Sequence, residues 1–281
     1  MEQQNRPPCV VITGSTRGIG LGLAKAFLAR GCNLVISGRD PAQLQQARAE
    51  LNAAFDAERI HGICCDVTRA DQLQALWNAA SARFGRVDVW INNAGSCHAT
   101  RPLIELPSEA LDGVLRTNVI GTVLGAQVAL RGMLEQGTGQ IFNMEGWGSS
   151  GEWSPGMTVY STSKRAVSHF SKALHRETRS SRIQVGTLSP GMVATDLLIS
   201  SWAEGDAANW RKMKRLFLFV IDPPEVVCDY LAQQVLRNTR RNRRIRWMTP
   251  LRLAGRLLQP RYWRRNPVQG TALEHLGEGR A

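Results

Sequence analysis

The sequence predicts an α/β fold built as one doubly wound parallel sheet of about seven strands, with helices on both faces and a basic C-terminal extension. Short β-branched runs alternate with longer helical patterns, the signature of repeated βαβ units. Most of those runs are apolar on both alternations, as strands covered on both faces must be. The 281 residues, 43% of them apolar, suffice for one large core, and no repeat of solenoid period interrupts the pattern.

The elements follow in order. A polar lead (1–8) precedes strand one, "CVVIT" (9–13), and "TGSTRGIG" (13–20) then opens the helix "LGLAKAFLAR". Strand two is "NLVIS" (33–37); in the "GRDPAQL" after it, Asp40 suits a helix N-cap and Pro41 the first helical position, where its missing N–H costs nothing. Strand three is "IHGICC" (60–65), followed by Thr68 and Asp71 at capping-box spacing. Strand four is "VDVWI" (87–91). The uncharged "TNVIGTVLGAQVAL" (117–130) falls short of the roughly 18 apolar residues of a membrane span and reads as a buried or interface helix. Strands five and six are "QIFNM" (140–144) and "RIQVGTLS" (182–189). Residues 190–222 break the alternation as a lid-like insertion before a helix starting near Pro223, and "IRWMT" (245–249) is strand seven. The expected organisation is a main domain over 9–249 and a basic tail over 250–281.

Charge is concentrated at one end. Residues 237–281 hold twelve arginines, no lysine and two acids, so ten of the twelve net positive charges lie there. The six cysteines, at 9, 32, 64, 65, 97 and 228, show neither zinc-site spacing nor a disulfide framework, which points to a reducing compartment and no metal. The polar lead carries no hydrophobic signal region, and a cytoplasmic chain is expected.

The turn through Gly14, Ser15, Thr16, Arg17, Gly18, Ile19 and Gly20 sits between a strand and a helix. There its glycines allow a tight turn and close approach of a pyrophosphate to a helix N-terminus, the Rossmann-type arrangement. At the end of strand two Arg39, with Arg17 and Ser37, stands where an acid would favour NAD, so NADP(H) is expected. Tyr160 and Lys164 lie four apart on one helix face. A free phenol titrates near 10, and a neighbouring ammonium favours the phenolate, so Tyr160 is the candidate proton donor to a carbonyl.

With "NNAG" (92–95), "RTNVIG" (116–121) and "LSPGMVATDL" (188–197) in order around that pair, the sequence resembles the short-chain dehydrogenases/reductases over roughly residues 9 to 237. The resemblance implies that Asp66, beside Val67, contacts the adenine, and that Asn92 and the turn through Ala94 and Gly95 line the cofactor. It further implies that Asn118 completes a proton relay with Lys164, that Lys164 also holds the nicotinamide ribose, and that Pro190, Gly191, Val193 and Thr195 border the nicotinamide. The family's serine lies about thirteen positions before the tyrosine, which falls on Trp147, with Gly146 beside it. The nearest hydroxyls are Ser149, taken first, and Ser150. The segment "QIFNMEGWGSSG" with "SPGMVATDLL" resembles one branch, the chlorophyll(ide) b reductases of green plants, whose serine also arrives late after an acid and a glycine. That branch reduces a ring formyl group with NADPH.

Trp147, Trp153, Trp202 and Trp210 fall in loops expected to border the pocket, either stacking on a broad planar substrate or packing the loops. In the tail, Thr249 and Pro250 start "LRLAGRLLQ", with Leu251, Ala254 and Leu258 on one side and Arg252 and Arg256 on another. Such a segment suits an anionic lipid surface or a subunit contact, a nucleic-acid reading ranks last, and a solvated charge run is the commonest outcome. The expected function is NADPH-dependent reduction of a carbonyl, with chlorophyll(ide) b as substrate, by an oligomer packing through helices around 109–135 and 158–179. The alternatives are a general reductase of another bulky hydrophobic carbonyl and a cofactor-sensing module without turnover.

Overall fold

The computed structural model describes residues 6–203, 214, 216–269 and 274. Seven parallel strands form one sheet: β1 (Cys9–Ile12), β2 (Asn33–Gly38), β3 (Ile60–Cys64), β4 (Val89–Asn92), β5 (Gly139–Met144), β6 (Ile183–Ser189) and β7 (Arg244–Arg246). Their order is β3-β2-β1-β4-β5-β6-β7. It reverses between β1 and β4, and the crevice beyond the carboxyl ends of those strands is where such sheets bind ligands. β7 stops earlier than the sequence suggests because Thr249 and Pro250 already start a helix.

Helices α1 (Gly18–Leu28), α2 (Pro41–Asn52) and α8 (Pro224–Leu236) cover one face of the sheet, packing Leu23, Phe27, Leu51 and Leu231 on Ile12, Ile36 and Ile91. On the other face lie α3 (Ala70–Phe84), α5 (Gly121–Gln136) and α6 (Thr158–Glu177), where Trp77, Met133 and Leu174 close over Val11, Trp90 and Val185. Asp40 caps α2 as expected, accepting from Ala42 N at 2.9 Å and Gln43 N at 3.2 Å. The capping box at Thr68 does not form. Its hydroxyl donates instead to Asp66 Oδ1 at 2.8 Å, and Arg69 becomes the N-cap of α3 without a side-chain bond.

Helix α4 (Ser108–Leu115) runs into α5 through a π turn at Arg116–Ile120. The continuous helix, Ser108–Gln136, is long and apolar enough to cross a membrane by length and composition. Ala126, Ala129 and Met133 are nonetheless buried against the sheet, so it is a core helix of this fold.

After β6 come the 190–195 segment and α7 (Asp196–Ala203); part of the expected lid, with Trp210, lies outside the described residues. The tail forms α9 (Pro250–Leu257), capped by Thr249, and α10 (Pro260–Arg264). Its orientation reverses the expectation for Arg252 and Arg256. Leu251 and Leu258 are 86% and 85% exposed, whereas Arg256 is 2% exposed. The cause is a partner that helical periodicity cannot reveal, the buried carboxylate of Asp222. Arg252 is likewise turned inward, its guanidinium stacked 3.7 Å from the Trp247 ring centroid.

Candidate active site

At the nucleotide end, Gly14 adopts φ +61°, and a Cβ there would stand 2.7 Å from Ala94 Cα. A Cβ on Gly20 would meet Gly14 O at 2.3 Å. Both positions therefore exclude any side chain, and the turn packs tightly on the loop after β4. Arg17 caps α1 without a side-chain bond, which leaves the first amides of the helix to an outside anion. Thr195 Cγ2 lies 3.4 Å from where a Cβ on Gly18 would project, bringing the 190–195 segment over this turn. Arg17 and Arg39 are both exposed at the strand ends, and Thr16 lies against Gly38. These residues fit a dinucleotide with its phosphates on the helix N-terminus.

Several of the expected cofactor residues also make contacts within the protein. Ser15 and Ser37 are fully buried and stitch β1 to β2: Ser15 Oγ donates to Ile12 O at 2.7 Å and accepts from Ser37 N at 2.9 Å. The Ser37 hydroxyl lies 3.5 Å from Ile12 O. The Ile19 side chain packs on the core beneath the turn. Asn92 faces away from the crevice, accepting from Trp90 Nε1 at 2.7 Å and donating to Asn143 Oδ1 at 2.8 Å. The neighbouring Asn93, which sequence reasoning missed, ties the loop to the glycine turn, with Nδ2 donating to Thr13 O at 2.9 Å and Gly14 O at 2.8 Å. Strand parity carries the signal, since position 92 shares the buried face of Trp90 and position 93 does not. Asp66 uses Oδ1 to accept from Thr68, beside the buried Val67.

Tyr160 and Lys164 sit in the first two turns of α6, facing the end of β5. Lys164 Nζ donates to Met144 O at 3.3 Å and lies 5.8 Å from the Tyr160 ring centroid. Burial lowers Lys164 to about 8, while the Cys97 thiol and the Glu145 carboxylate pull it upward. Tyr160 is pushed above its ordinary value by burial and by Cys97. In the protein alone, burial therefore opposes the acidic phenol that the Tyr160–Lys164 spacing suggests. His98, another residue without a sequence signal, is buried between them and the lid. Its Nδ1 lies 2.8 Å from Ala99 O and its Nε2 accepts from Tyr160 N at 3.3 Å, which fixes the start of α6.

Asn118 is buried in the π turn, its side chain donating to Ser96 O at 3.0 Å and Ser163 Oγ at 2.9 Å and accepting from Ser96 N at 2.8 Å. Its main-chain carbonyl accepts from Thr122 Oγ1 at 2.7 Å, so side chain and backbone together hold the π turn in place. A Cβ on Gly95 would lie 3.3 Å from Asn118 Oδ1 and 3.6 Å from Lys164 Nζ, so the NNAG turn packs beside both side chains.

The two candidate serines are engaged within the loop and its neighbours. Ser149 is buried, its Oγ accepting from Gly146 N at 3.1 Å and donating to Lys164 O at 3.3 Å. Ser150 Oγ accepts from Arg244 Nη2 at 2.7 Å, at the β7 side, and Arg244 in turn pairs with the buried Glu145 at 2.6 Å. The position that faces the phenol is Gly146, where a Cβ would stand 2.5 Å from Tyr160 Oη. Trp147 and Trp153 are 40% and 73% exposed, while Trp202 is buried on Phe217. Pro190 and Gly191 follow β6, with Val193 paired to Asp222 in an isolated bridge.

Comparison with known proteins matches residues 8–205 to the short chain dehydrogenase family model. The chlorophyll(ide) b reductase NOL of Oryza sativa subsp. japonica is 38% identical over 234 residues, 82% of this chain and 66% of that protein. The chain spans between about half and two thirds of the length of the curated relatives of this kind. Among solved structures, a variant actinorhodin polyketide ketoreductase with NADPH superposes with TM-score 0.74 at 26% identity, covering 86% of this chain and 95% of that one. A 3-ketoacyl-(acyl-carrier-protein) reductase from Brucella melitensis complexed with NADH gives 0.69 at 26% identity, over 82% and 90%.

Proposed function

The chain belongs to the short-chain dehydrogenase/reductase family and is an oxidoreductase using a nicotinamide cofactor, and from that premise we propose that it reduces a carbonyl with NADPH, its substrate being the ring formyl group of a chlorophyll(ide) b-type pigment. Gly14, Thr16, Gly18 and the open N-terminus of α1 would hold the pyrophosphate, Arg17 and Arg39 a 2′-phosphate, and Asp66 the adenine. When bound, the dihydronicotinamide supplies the hydride.

The chain's own residues manage the proton. Tyr160 Oη gives its proton to the carbonyl oxygen, completing the hydroxymethyl product, and is reprotonated from the Lys164 side. Lys164 is charged below about pH 8, close enough to neutrality to exchange that proton. A relay beyond Lys164 would continue through water to Asn118.

The observation that carries the substrate reading is Gly146 in front of the phenol. A position with no side chain leaves the oxygen end of Tyr160 open to the edge of a flat macrocycle, and the exposed rings of Trp147 and Trp153 on the same loop suit stacking. The identity to the chlorophyll(ide) b reductases supports the same reading. Likeness to two ketoreductases favours, as second reading, a bulky ketone. Incubation with NADPH and chlorophyllide b, beside simple ketones, tests the proposal: it expects loss of the formyl group with stoichiometric NADPH oxidation. Reduction of the ketones alone selects the second reading, and binding without oxidation rejects both. Association through α4–α5 and α6, where Leu115, Ile120 and Leu134 are exposed, is the oligomeric contact we expect.

A further inference from the structure

The segment bordering the expected nicotinamide position is held from one side by a single residue's backbone. Asp222 N donates to Met192 O at 3.0 Å, and Ala194 N donates to Asp222 O at 3.0 Å, so this residue brackets Val193. Its side chain, 5% exposed, gathers three groups from the C-terminal segment. Oδ2 accepts from Trp247 Nε1 at 2.6 Å and from Arg256 Nη2, and Oδ1 accepts from Arg265 Nη1 at 2.8 Å.

The same guanidinium groups continue along the main chain that leads into Asp222. Arg256 Nη1 donates to Phe219 O at 3.2 Å, and Arg265 Nη2 donates to Phe219 O at 2.7 Å and Ile221 O at 2.5 Å. Trp247 and Met248 stand against Gly191 itself, the Met248 Cβ 3.3 Å from where a Cβ there would project. Val268, fully buried, packs with Trp202, Phe217 and Ile221, with Met192 and Ala194 against them.

Burial alone would raise the Asp222 carboxyl, but hydrogen bonds from Arg265, Trp247 and Arg256 outweigh it and hold it below the usual carboxylate range. A buried charge so placed depends on its whole partner set, since removing one group strands the others. The expected solvated charge run is thus, at these residues, a clamp.

The geometry points to Asp222, Arg256 and Arg265 as positioning residues that set the binding of the nicotinamide half of the cofactor, acting through Met192–Ala194. The inference rests on the dinucleotide reading above. None of the three is bonded to Arg17, Arg39 or Asp66, which follow β1, β2 and β3 at the expected adenosine end. The clamp therefore discriminates between the two halves of one molecule.

Calorimetric titration of the full chain with NADPH and NADH, and in parallel with their adenosine halves 2′,5′-ADP and ADP, tests this. Asp222→Asn is expected to weaken the preferred intact dinucleotide by about tenfold, the scale of one lost charge-assisted bond, while its adenosine half binds as in the wild type. Arg265→Ala should show the same one-sided loss, and Arg265→Lys should recover part of it. Trp247→Phe, which removes one neutral donor and strands no charge, gives a smaller shift of the same kind and serves should Asp222→Asn not fold. Equal weakening of dinucleotide and adenosine half, or no weakening of either, overturns the inference while leaving the reductase reading standing. Failure of the wild type to bind either dinucleotide overturns both.

Discussion

Restoring a serine at Gly146 should damage this site, although the family ordinarily works with one. Gly146 is absent from the positive-φ glycines, so the substitution acts through side-chain contacts rather than backbone strain. The new Cβ would stand 2.5 Å from Tyr160 Oη and 3.2 Å from both Cγ and Cε of Lys164. Ordinary carbon contacts start near ~3.5 Å, so the phenolic oxygen must retreat by about 1 Å. A misplacement of about 1 Å at a reacting group costs on the order of 10²-fold in rate, or about 2.7 kcal/mol of barrier. For Gly146→Ser we therefore expect kcat/KM to fall by about that factor, dinucleotide affinity to be unchanged, and Tm to move by only a few degrees. Steady-state NADPH oxidation and cofactor titration on the same preparation give the comparison. A rate equal to or above wild type would refute the reasoning, since it would mean that Tyr160 has slack and that a hydroxyl here is useful.

Four other outcomes follow from the same geometry. Tyr160→Phe should abolish turnover with cofactor affinity nearly intact, measured by single-turnover mixing. Ser149→Ala should cost about 1 kcal/mol of stability, as a lost hydrogen bond within the loop does, and far less activity than an oxyanion donor would; a 10²-fold loss in kcat would return Ser149 to the chemistry. Arg39→Ala should weaken NADPH by about tenfold relative to NADH, the scale of one charge-assisted bond to phosphate, and an unchanged ratio would remove the NADP(H) assignment. Lys164 is lowered in the fold to about 8 from 10.5, so the unfolded chain holds that proton more tightly. Its contribution therefore makes the cofactor-free protein more stable as pH rises from about 8 towards 10.5, relative to Lys164→Gln, while the wild-type rate declines above about 8. Denaturant titrations and a pH–rate profile check both signs.

Local rules were legible in the sequence and tertiary partners were not. The strand alternation, Asp40 before Pro41, and Thr249 before Pro250 are short-range chemistry, and they appear where expected except that β7 spans Arg244–Arg246 rather than 245–249. Thr68 failed because Asp66, two residues away, competes for its hydroxyl. Ser149 and Ser150 were candidates by proximity to Trp147, and the Gly-rich loop curls so that one hydroxyl bonds Gly146 N and Lys164 O while the other meets Arg244 of β7. Arg256 points inward because of a carboxylate 34 residues away, a distance at which helical periodicity carries no information.

The clamp at Asp222 also orders events during synthesis. Every strand that forms the crevice floor, and the Met192–Ala194 segment above it, leaves the ribosome before Trp247, Arg256 and Arg265 do. A nascent chain that has reached Ala194 carries the glycine turn and the segment above it before any of the three groups that bind the Asp222 side chain has been made. On the clamp proposal, a translation product cut short before Arg256 and Arg265 would hold its ligand by the adenosine end only.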